Sequence, residues 1–146
     1  MIRRIALSLL ALAATTLSAS AWQASSGEVC QITHSEAAAS VSVTYDLDTL
    51  DYAIAITPDE PWEQGPVFAL RFDGPFNNII TTDRHQLSDG NTTLTVTDQG
   101  FGNVLDGLTF NDTATAVLGE QQVMVSLEGA ADAVRAFRAC TQSLAI

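Results

Sequence analysis

The chain has 146 residues and a formal net charge of −11, and its basic residues are six arginines without a lysine. This length fits one domain, and a composition with 47% hydrophobic residues, 9 glycines and 4 prolines excludes collagen-like and disordered classes. Because nucleic-acid binding needs a cationic surface, six basic residues against 17 acidic ones predict no nucleic-acid partner.

The N-terminus has the pattern of a secretory signal peptide. Arg3 and Arg4 precede an apolar run over residues 5–14, and Ala19-Ser20-Ala21 follows. A charged start, a short apolar stretch and an Ala-x-Ala end predict export and cleavage after Ala21, with residues 17–19 as the alternative site. The apolar run is about half of a membrane span, so no membrane insertion is expected once the signal is removed. The predicted location is periplasmic or secreted.

Cleavage divides the chain into a signal peptide, residues 1–21, and a single β-rich domain, residues 22–146. The mature domain keeps four arginines against all 17 acidic residues, hence a net charge of −13. Such a surface favours a cationic partner, although solubility alone also accounts for it. Cys30 and Cys140 are predicted to form a disulfide, as paired cysteines do in oxidising compartments. A reactive thiol pair is the alternative, but it has no Cys-x-x-Cys spacing in its favour.

Alternation of apolar and polar residues predicts strands along most of the mature chain. The first strands are expected at residues 29–35, 40–47 and 52–56, the last two joined by a hairpin turn. Prolines exclude residues 58–66 from a ladder. Further strands are predicted at residues 67–72, 78–83, 92–97, 113–118 and 123–127. Residues 89–91 (DGN) predict a turn, and residues 100–107 an irregular connection.

The period changes at the C-terminus. Ala130, Ala133, Val134, Phe137 and Cys140 fall at helical spacing, which predicts an amphipathic helix tied by the disulfide to the first predicted strand. The predicted fold is therefore mainly β, an antiparallel β-sandwich or barrel of about eight strands with one C-terminal α-helix.

Polar residues around His85 form the first candidate site. If residues 83–85 continued a strand, Asp83 and His85 would share a face, and an acid beside a histidine can orient it as a general base. The alternative is that Asp83, Arg84, His85 and Asp89 are polar residues where a strand meets a turn. No Gly-x-Ser-x-Gly elbow accompanies them, so no catalytic residue is assigned.

Two metal hypotheses remain open, although no metal or cofactor is predicted. His34 and Glu36 could join Asp83 and His85 at a zinc site if the two segments were neighbours. The acids of the first hairpin, Asp46, Asp48 and Asp51, could hold calcium, or could be ordinary turn residues. Trp62 and Phe76, in loops, are candidate binding aromatics for a sugar, peptide or protein, with coverage of the core as the alternative.

Five stretches resemble a family of small exported bacterial proteins of unestablished function. They are residues 66–75 (PVFALRFDGP), 82–88 (TDRHQLS), 100–108 (GFGNVLDGL), 127–131 (LEGAA) and 136–140 (AFRAC). Some proteins of that family carry the name of the B component of the ABC excinuclease, and the tail also resembles invasion-associated locus B proteins. The resemblance implies an exported, cysteine-containing protein and supplies no site residues. An ATP-dependent DNA-repair protein needs a P-loop lysine, which this chain lacks, so the excinuclease name is not expected to apply.

These observations lead to three hypotheses. The first is a non-enzymatic envelope protein that binds an unidentified partner or ligand. The second is a small hydrolase or metal-dependent enzyme centred on His85 and Asp83. The third is a purely structural envelope component. A concave pocket containing His85 and a second titratable group would favour an enzyme, whereas exposed Trp62 or Phe76 would favour a binding protein.

Overall fold

The computed structural model describes residues 11–14 and 21–144. The predicted signal peptide and its cleavage therefore lie almost entirely outside the described residues. Ten strands and two helices follow one another along the chain: β1 (Gln23–Ser26), β2 (Val29–Ser35), β3 (Ala39–Asp46), β4 (Asp51–Pro58), β5 (Phe68–Asp73), β6 (Asn78–Thr82), β7 (Gln86–Ser88), β8 (Thr93–Asp98), α1 (Gly102–Phe110), β9 (Thr113–Leu118), β10 (Gln121–Ser126) and α2 (Ala130–Leu144).

The strands form two antiparallel sheets. The six-stranded sheet has the order β1-β2-β3-β4-β8-β7, and the four-stranded sheet has the order β10-β9-β5-β6. No strand of the described chain is hydrogen-bonded into both sheets, so the arrangement is a sandwich rather than a closed barrel. The predicted fold class, an antiparallel sandwich with a C-terminal helix, is confirmed.

Alternating side chains of both sheets build one core. In β2, Cys30, Ile32 and His34 point inward, and in β5 Phe68, Leu70 and Phe72 do the same. Because successive side chains of a strand point to opposite faces, each alternating segment contributes every second residue to the core.

Helix α2 packs against β1, β2 and α1. It buries Ala130, Ala133, Val134 and Phe137, the apolar positions that the sequence pattern places on one helix face. Its Cys140 is held to β2 by the disulfide with Cys30. The helix therefore lies near the β1–β2 edge of the six-stranded sheet.

Three local predictions are corrected. The strand number is ten rather than about eight, since β1 and β7 were missed; β1 has the sequence QASS without apolar alternation, and β7 has three residues. The connection predicted as irregular contains α1, whose buried face is formed by Val104, Leu105 and Leu108. Asp83 and His85 lie between β6 and β7 and not in a strand, so the pleat does not place them on one face.

Candidate functional site

The disulfide is the most direct agreement between sequence and structure. The Sγ atoms of Cys30 and Cys140 are bonded, their Cα atoms are 5.8 Å apart, and 110 residues separate them in sequence. No free cysteine occurs in the described chain. A disulfide of this kind is typical of an oxidising compartment outside the cytoplasm.

The His85 region has the geometry of a structural corner. Nε2 of His85 lies 3.0 Å from the carbonyl oxygen of Gly65, and its ring packs near Phe68. Since a carbonyl only accepts, Nε2 donates this hydrogen bond and Nδ1 is left as the basic nitrogen. Nδ1 is buried and has no hydrogen-bond partner among the described residues. Asp83 is exposed, and no hydrogen bond or ion pair in the described chain joins it to His85.

A surface depression of about 500 Å³ is lined by Asp83, Arg84 and His85, together with Gln86 and two threonines. It meets the criterion for a pocket with His85 and a second titratable group. However, Nε2 is hydrogen-bonded to the Gly65 carbonyl and Nδ1 is buried. Neither ring nitrogen is therefore placed to take a proton from a molecule in this depression. The geometry gives no support to His85 as a general base.

Asp89 is part of a turn. Asp89, Gly90 and Asn91 have φ values of 55°, 68° and 65°, the left-handed conformation that Gly, Asn and Asp tolerate best. The Thr92 hydroxyl donates to the Asp89 carbonyl at 2.8 Å. The turn predicted from DGN is confirmed.

The two candidate aromatics have opposite environments. Trp62 is 3% exposed, and its Nε1 donates to the Ile56 carbonyl at 3.0 Å, so this residue covers the core and is not free to grip a partner. Phe76 is 65% exposed and contacts Phe110, which is 49% exposed, with 5.4 Å between ring centroids. Asn111 fixes this pair, because its Oδ1 accepts from the Phe76 amide and its Nδ2 donates to a carbonyl of α1.

Neither metal hypothesis gains support. His34 lies on β2 of the six-stranded sheet, between β1 and β3, and so is not the neighbour of the segment with His85. Its ring stacks on Trp22 with 4.5 Å between centroids, and its Nε2 is 3.7 Å from an oxygen of Glu36. Within residues 11–14 and 21–144, no three His, Cys, Asp or Glu side chains converge as metal ligands.

One acid of the first hairpin, Asp46, closes its turn. The Oδ1 atom of Asp46 accepts the backbone amides of Asp48 and Thr49 at 2.8 and 3.3 Å. A side chain that bonds to the backbone two residues on is a common way to close a turn. Asp46 therefore has a structural role here.

A cleft that the sequence does not reveal opens between the two sheets. It has a volume of about 170 Å³, and we call it the inter-sheet cleft. Its inner wall consists of buried apolar side chains, each at most 8% exposed: Ile54, Phe68, Leu70, Phe101 and Val104. Ile80 and Val96 also line it, and Thr82, Arg84, Asp98 and Asn103 stand among its more exposed lining residues. This is the usual composition of a ligand site, apolar within and with a few polar groups.

An ion pair stands at the rim of the inter-sheet cleft. Nη2 of Arg84 donates to Oδ2 of Asp98 at 2.7 Å, and the Gln99 amide donates to Oδ1 of Asp98 at 2.7 Å. The hydrogen bond from the Gln99 amide has the largest effect and lowers the pKa of Asp98 below its ordinary value near 3.8. Desolvation acts in the opposite direction, and the nearby Arg84 guanidinium lowers this pKa further. The candidate polar residue Arg84 thus belongs to the cleft, and its partner Asp98 was not identified from the sequence.

Comparison of the chain with models of protein families, with curated proteins and with solved structures found no match. The resemblance to a family of small exported proteins therefore stays a prediction. In the part of the chain that the structure describes, no helix is both long enough and apolar enough to cross a bilayer.

Proposed function

We propose that the protein is a non-enzymatic binding module of the periplasm or the cell exterior, and that it takes an apolar group of a small ligand into the inter-sheet cleft. The observation that carries this proposal is the cleft itself, where residues as buried as Ile54, Phe68 and Leu70 line a space open to the outside. The N-terminal pattern and the disulfide support the compartment.

The size of the cleft limits the ligand. An apolar cavity of about 150 Å³ is large enough to admit benzene, so a cleft of about 170 Å³ fits one ring or a short branched chain. Removing such a group from water contributes about 25 cal/mol per Å² of apolar surface buried. A ligand this small is expected to bind with millimolar to micromolar affinity, because part of that gain offsets the lost freedom of motion.

The test uses benzyl alcohol, a neutral molecule with one ring, and methyl NMR of the mature protein. We expect shift changes at the methyl groups of Ile54, Leu70 and Val104, which line the cleft. Val96→Phe fills the cleft and should abolish these changes. Val117→Phe is the matched control, since Val117 is half-buried on β9 and does not line the cleft.

The proposal fails if benzyl alcohol causes no saturable shift changes in the wild-type protein, or causes them only at methyl groups outside the cleft. This mapping uses the wild-type chain, so the outcome does not depend on whether Val96→Phe folds. Thermal unfolding of both variants shows whether a lost response reflects a filled cleft or an unfolded protein.

A second candidate function, binding of an envelope protein, is favoured by the Phe76–Phe110 pair. Large aromatic side chains that are exposed and held in place are typical of interface anchors. A photo-crosslinking amino acid at position 76 should trap a discrete partner in intact cells, whereas the same group at position 50 should not. Leu50 is the matched control, because it is 57% exposed and lies in the first hairpin. Equal labelling from both positions would refute this function.

The other two hypotheses have less support. An enzyme centred on His85 and Asp83 needs a basic nitrogen free to meet a substrate, and the hydrogen bond of His85 to Gly65 argues against it. A purely structural role leaves the inter-sheet cleft and the exposed aromatic pair without a purpose.

A further inference from the structure

We infer that the ligand of the inter-sheet cleft is a small carboxylate, whose anionic group pairs with Arg84 while its aryl or alkyl group enters the cleft. This inference rests on the proposed function, since it concerns the polar end of the ligand whose apolar end the cleft holds.

The first argument is the number of donors left at the rim. A guanidinium carries five N–H donors. Arg84 uses one of its Nη2 donors for Asp98, and its other side-chain donors have no acceptor among the described residues. Because its side chain is 67% exposed, these donors are accessible from the rim. A carboxylate matches this planar array, since the guanidinium fork can give it two parallel hydrogen bonds.

The second argument is that the Asp98 carboxylate already accepts two hydrogen bonds. One of its oxygens accepts from Arg84 and the other from the Gln99 amide. An incoming ammonium group would share these two oxygens with the donors they already bind, whereas an incoming carboxylate would use donors of Arg84 that have no acceptor among the described residues. Asp98 fixes the guanidinium in place, and a hydrogen bond from the Arg84 amide to Thr82 Oγ1, at 3.0 Å, fixes its backbone.

The third argument concerns the remaining charges at the site. Among the described residues, Arg84 and Asp98 are the only charged ones that line the cleft, and the other rim residues are neutral, with Asn103 and Thr82 able to donate as well. Asp83 adjoins Arg84 and lines with it the surface depression beside His85, but Asp83 does not line the cleft. Arg84 therefore provides the cationic group that a carboxylate in the cleft would contact.

The net charge of the mature domain acts in the opposite direction at long range. A protein with a charge of −13 repels an approaching anion, and salt screens this repulsion over a Debye length of about 8 Å at physiological ionic strength. The contact with Arg84 forms within hydrogen-bonding distance, where the guanidinium donors without an acceptor attract the carboxylate more strongly than Asp98, which is already paired with Arg84, repels it. Added salt should therefore weaken carboxylate binding little, in contrast to a site formed by a diffuse basic patch.

The experiment compares three probes with the same ring: phenylacetate, benzyl alcohol and benzylamine. Their dissociation constants are measured by NMR titration with the wild-type mature protein, with Arg84→Gln and with Arg135→Gln. Arg135 is the matched control, an exposed arginine that is also paired with a single aspartate, on α2 and away from the cleft. Arg84→Lys tests whether the fork geometry is needed beyond the charge.

We expect phenylacetate to bind about threefold to fivefold more tightly than benzyl alcohol, because a charge pair with an exposed arginine is partly screened by water. Arg84→Gln should remove this preference, so that phenylacetate and benzyl alcohol bind with similar affinity. Arg84→Lys should keep part of the preference for phenylacetate over benzyl alcohol, and Arg135→Gln should keep all of it.

Four results would overturn the inference. Equal affinity for phenylacetate and benzyl alcohol, or tighter binding of benzylamine, would refute the carboxylate and leave the proposed function intact. An equal effect of Arg84→Gln and Arg135→Gln would show a response to net charge alone. Failure of all three probes to bind in the cleft would refute both the inference and the proposed function.

Discussion

Cys140, near the end of the last helix, is joined to Cys30 at the start of β2, with their Cα atoms 5.8 Å apart and 110 residues between them in sequence. The bond closes most of the chain into one loop, which restricts the unfolded state far more than the folded one. Reduction of the wild-type protein should therefore lower its free energy of unfolding by about 2–5 kcal/mol. Urea unfolding with and without reductant measures this difference, and an unchanged midpoint with the disulfide reduced would contradict it.

Trp62 and Phe76 should respond differently to substitution, although both lie outside regular strands and helices. Trp62→Phe removes the Nε1 hydrogen bond and leaves the Ile56 carbonyl without this donor in a buried place, at a cost of about 1–3 kcal/mol. Phe76→Ser changes a side chain that is 65% exposed and should alter stability by less than about 1 kcal/mol. Thermal or urea unfolding of both variants tests this contrast, and equal losses of stability would contradict it.

Gly107 should be intolerant of a side chain. A Cβ atom at this position of α1 would lie 2.4 Å from ring atoms of Phe72, which is fully buried and has no room to move. Overpacking of this kind costs about 1–3 kcal/mol, and the better helix propensity of alanine returns about 1 kcal/mol at most. Gly107→Ala should therefore lower the free energy of unfolding, as measured by urea denaturation.

Gly102→Ala is the control for that prediction. Gly102 is the first residue of α1, and a Cβ there would meet no atom within 4 Å. We expect the stability of this variant to lie within about 0.5 kcal/mol of the wild type. Equal stability of Gly107→Ala and Gly102→Ala would contradict the close packing of α1 against the Phe72 ring.

Asp98 should contribute to stability only while it is ionised. Its pKa in the folded protein is lowered, mainly by the Gln99 amide and then by Arg84, so its contribution is complete above its ordinary pKa near 3.8 and is lost as the pH falls through the lower folded value. The group is exposed and screened, so the contribution should be at most about 1 kcal/mol.

Asp98→Asn tests the sign of this effect. At neutral pH the variant should be slightly less stable than the wild type, and the difference should shrink as the pH falls below about 4. Asp132→Asn provides a comparison, because Asp132 is also paired with an arginine on the surface, within α2. A difference between Asp98→Asn and the wild type that grows towards acidic pH would contradict the prediction.

Local sequence patterns were enough to predict the strands with one buried face and the amphipathic C-terminal helix. The hairpin of β3 and β4 follows from Val41, Val43, Ile54 and Ile56, since a strand with one buried face must place apolar residues at every second position. The same reasoning located β9, β10 and α2. Helix α1 could also have been predicted, because Val104, Leu105 and Leu108 share a helix face, but the glycines at positions 100, 102 and 107 made a loop the simpler interpretation.

Two other features, the burial of Trp62 and the pairing of Arg84 with Asp98, could not be predicted from local sequence patterns. Trp62 lies in a proline-rich segment whose composition indicates a loop. Only the structure shows that this loop folds back over the core and buries the indole, and the Trp62 amide there donates a hydrogen bond to the Asn91 carbonyl at 2.7 Å. Asp98 and Arg84 are 14 residues apart, with β7 and most of β8 between them. Their pairing depends on how that chain turns back, which no local period encodes.

By itself, the sequence determined the mainly β class, the terminal helix, the pairing of the only two cysteines and the acidic charge, because each depends on composition or on a short-range period. Only the tertiary structure decided which of the two loop aromatics, Trp62 or Phe76, is exposed. It also placed His85 within a hydrogen bond of the Gly65 carbonyl and opened a cleft between the sheets beside Arg84 and Asp98. These features arise where segments distant in sequence meet, and the shape of the space between two packed sheets is a property of both sheets together.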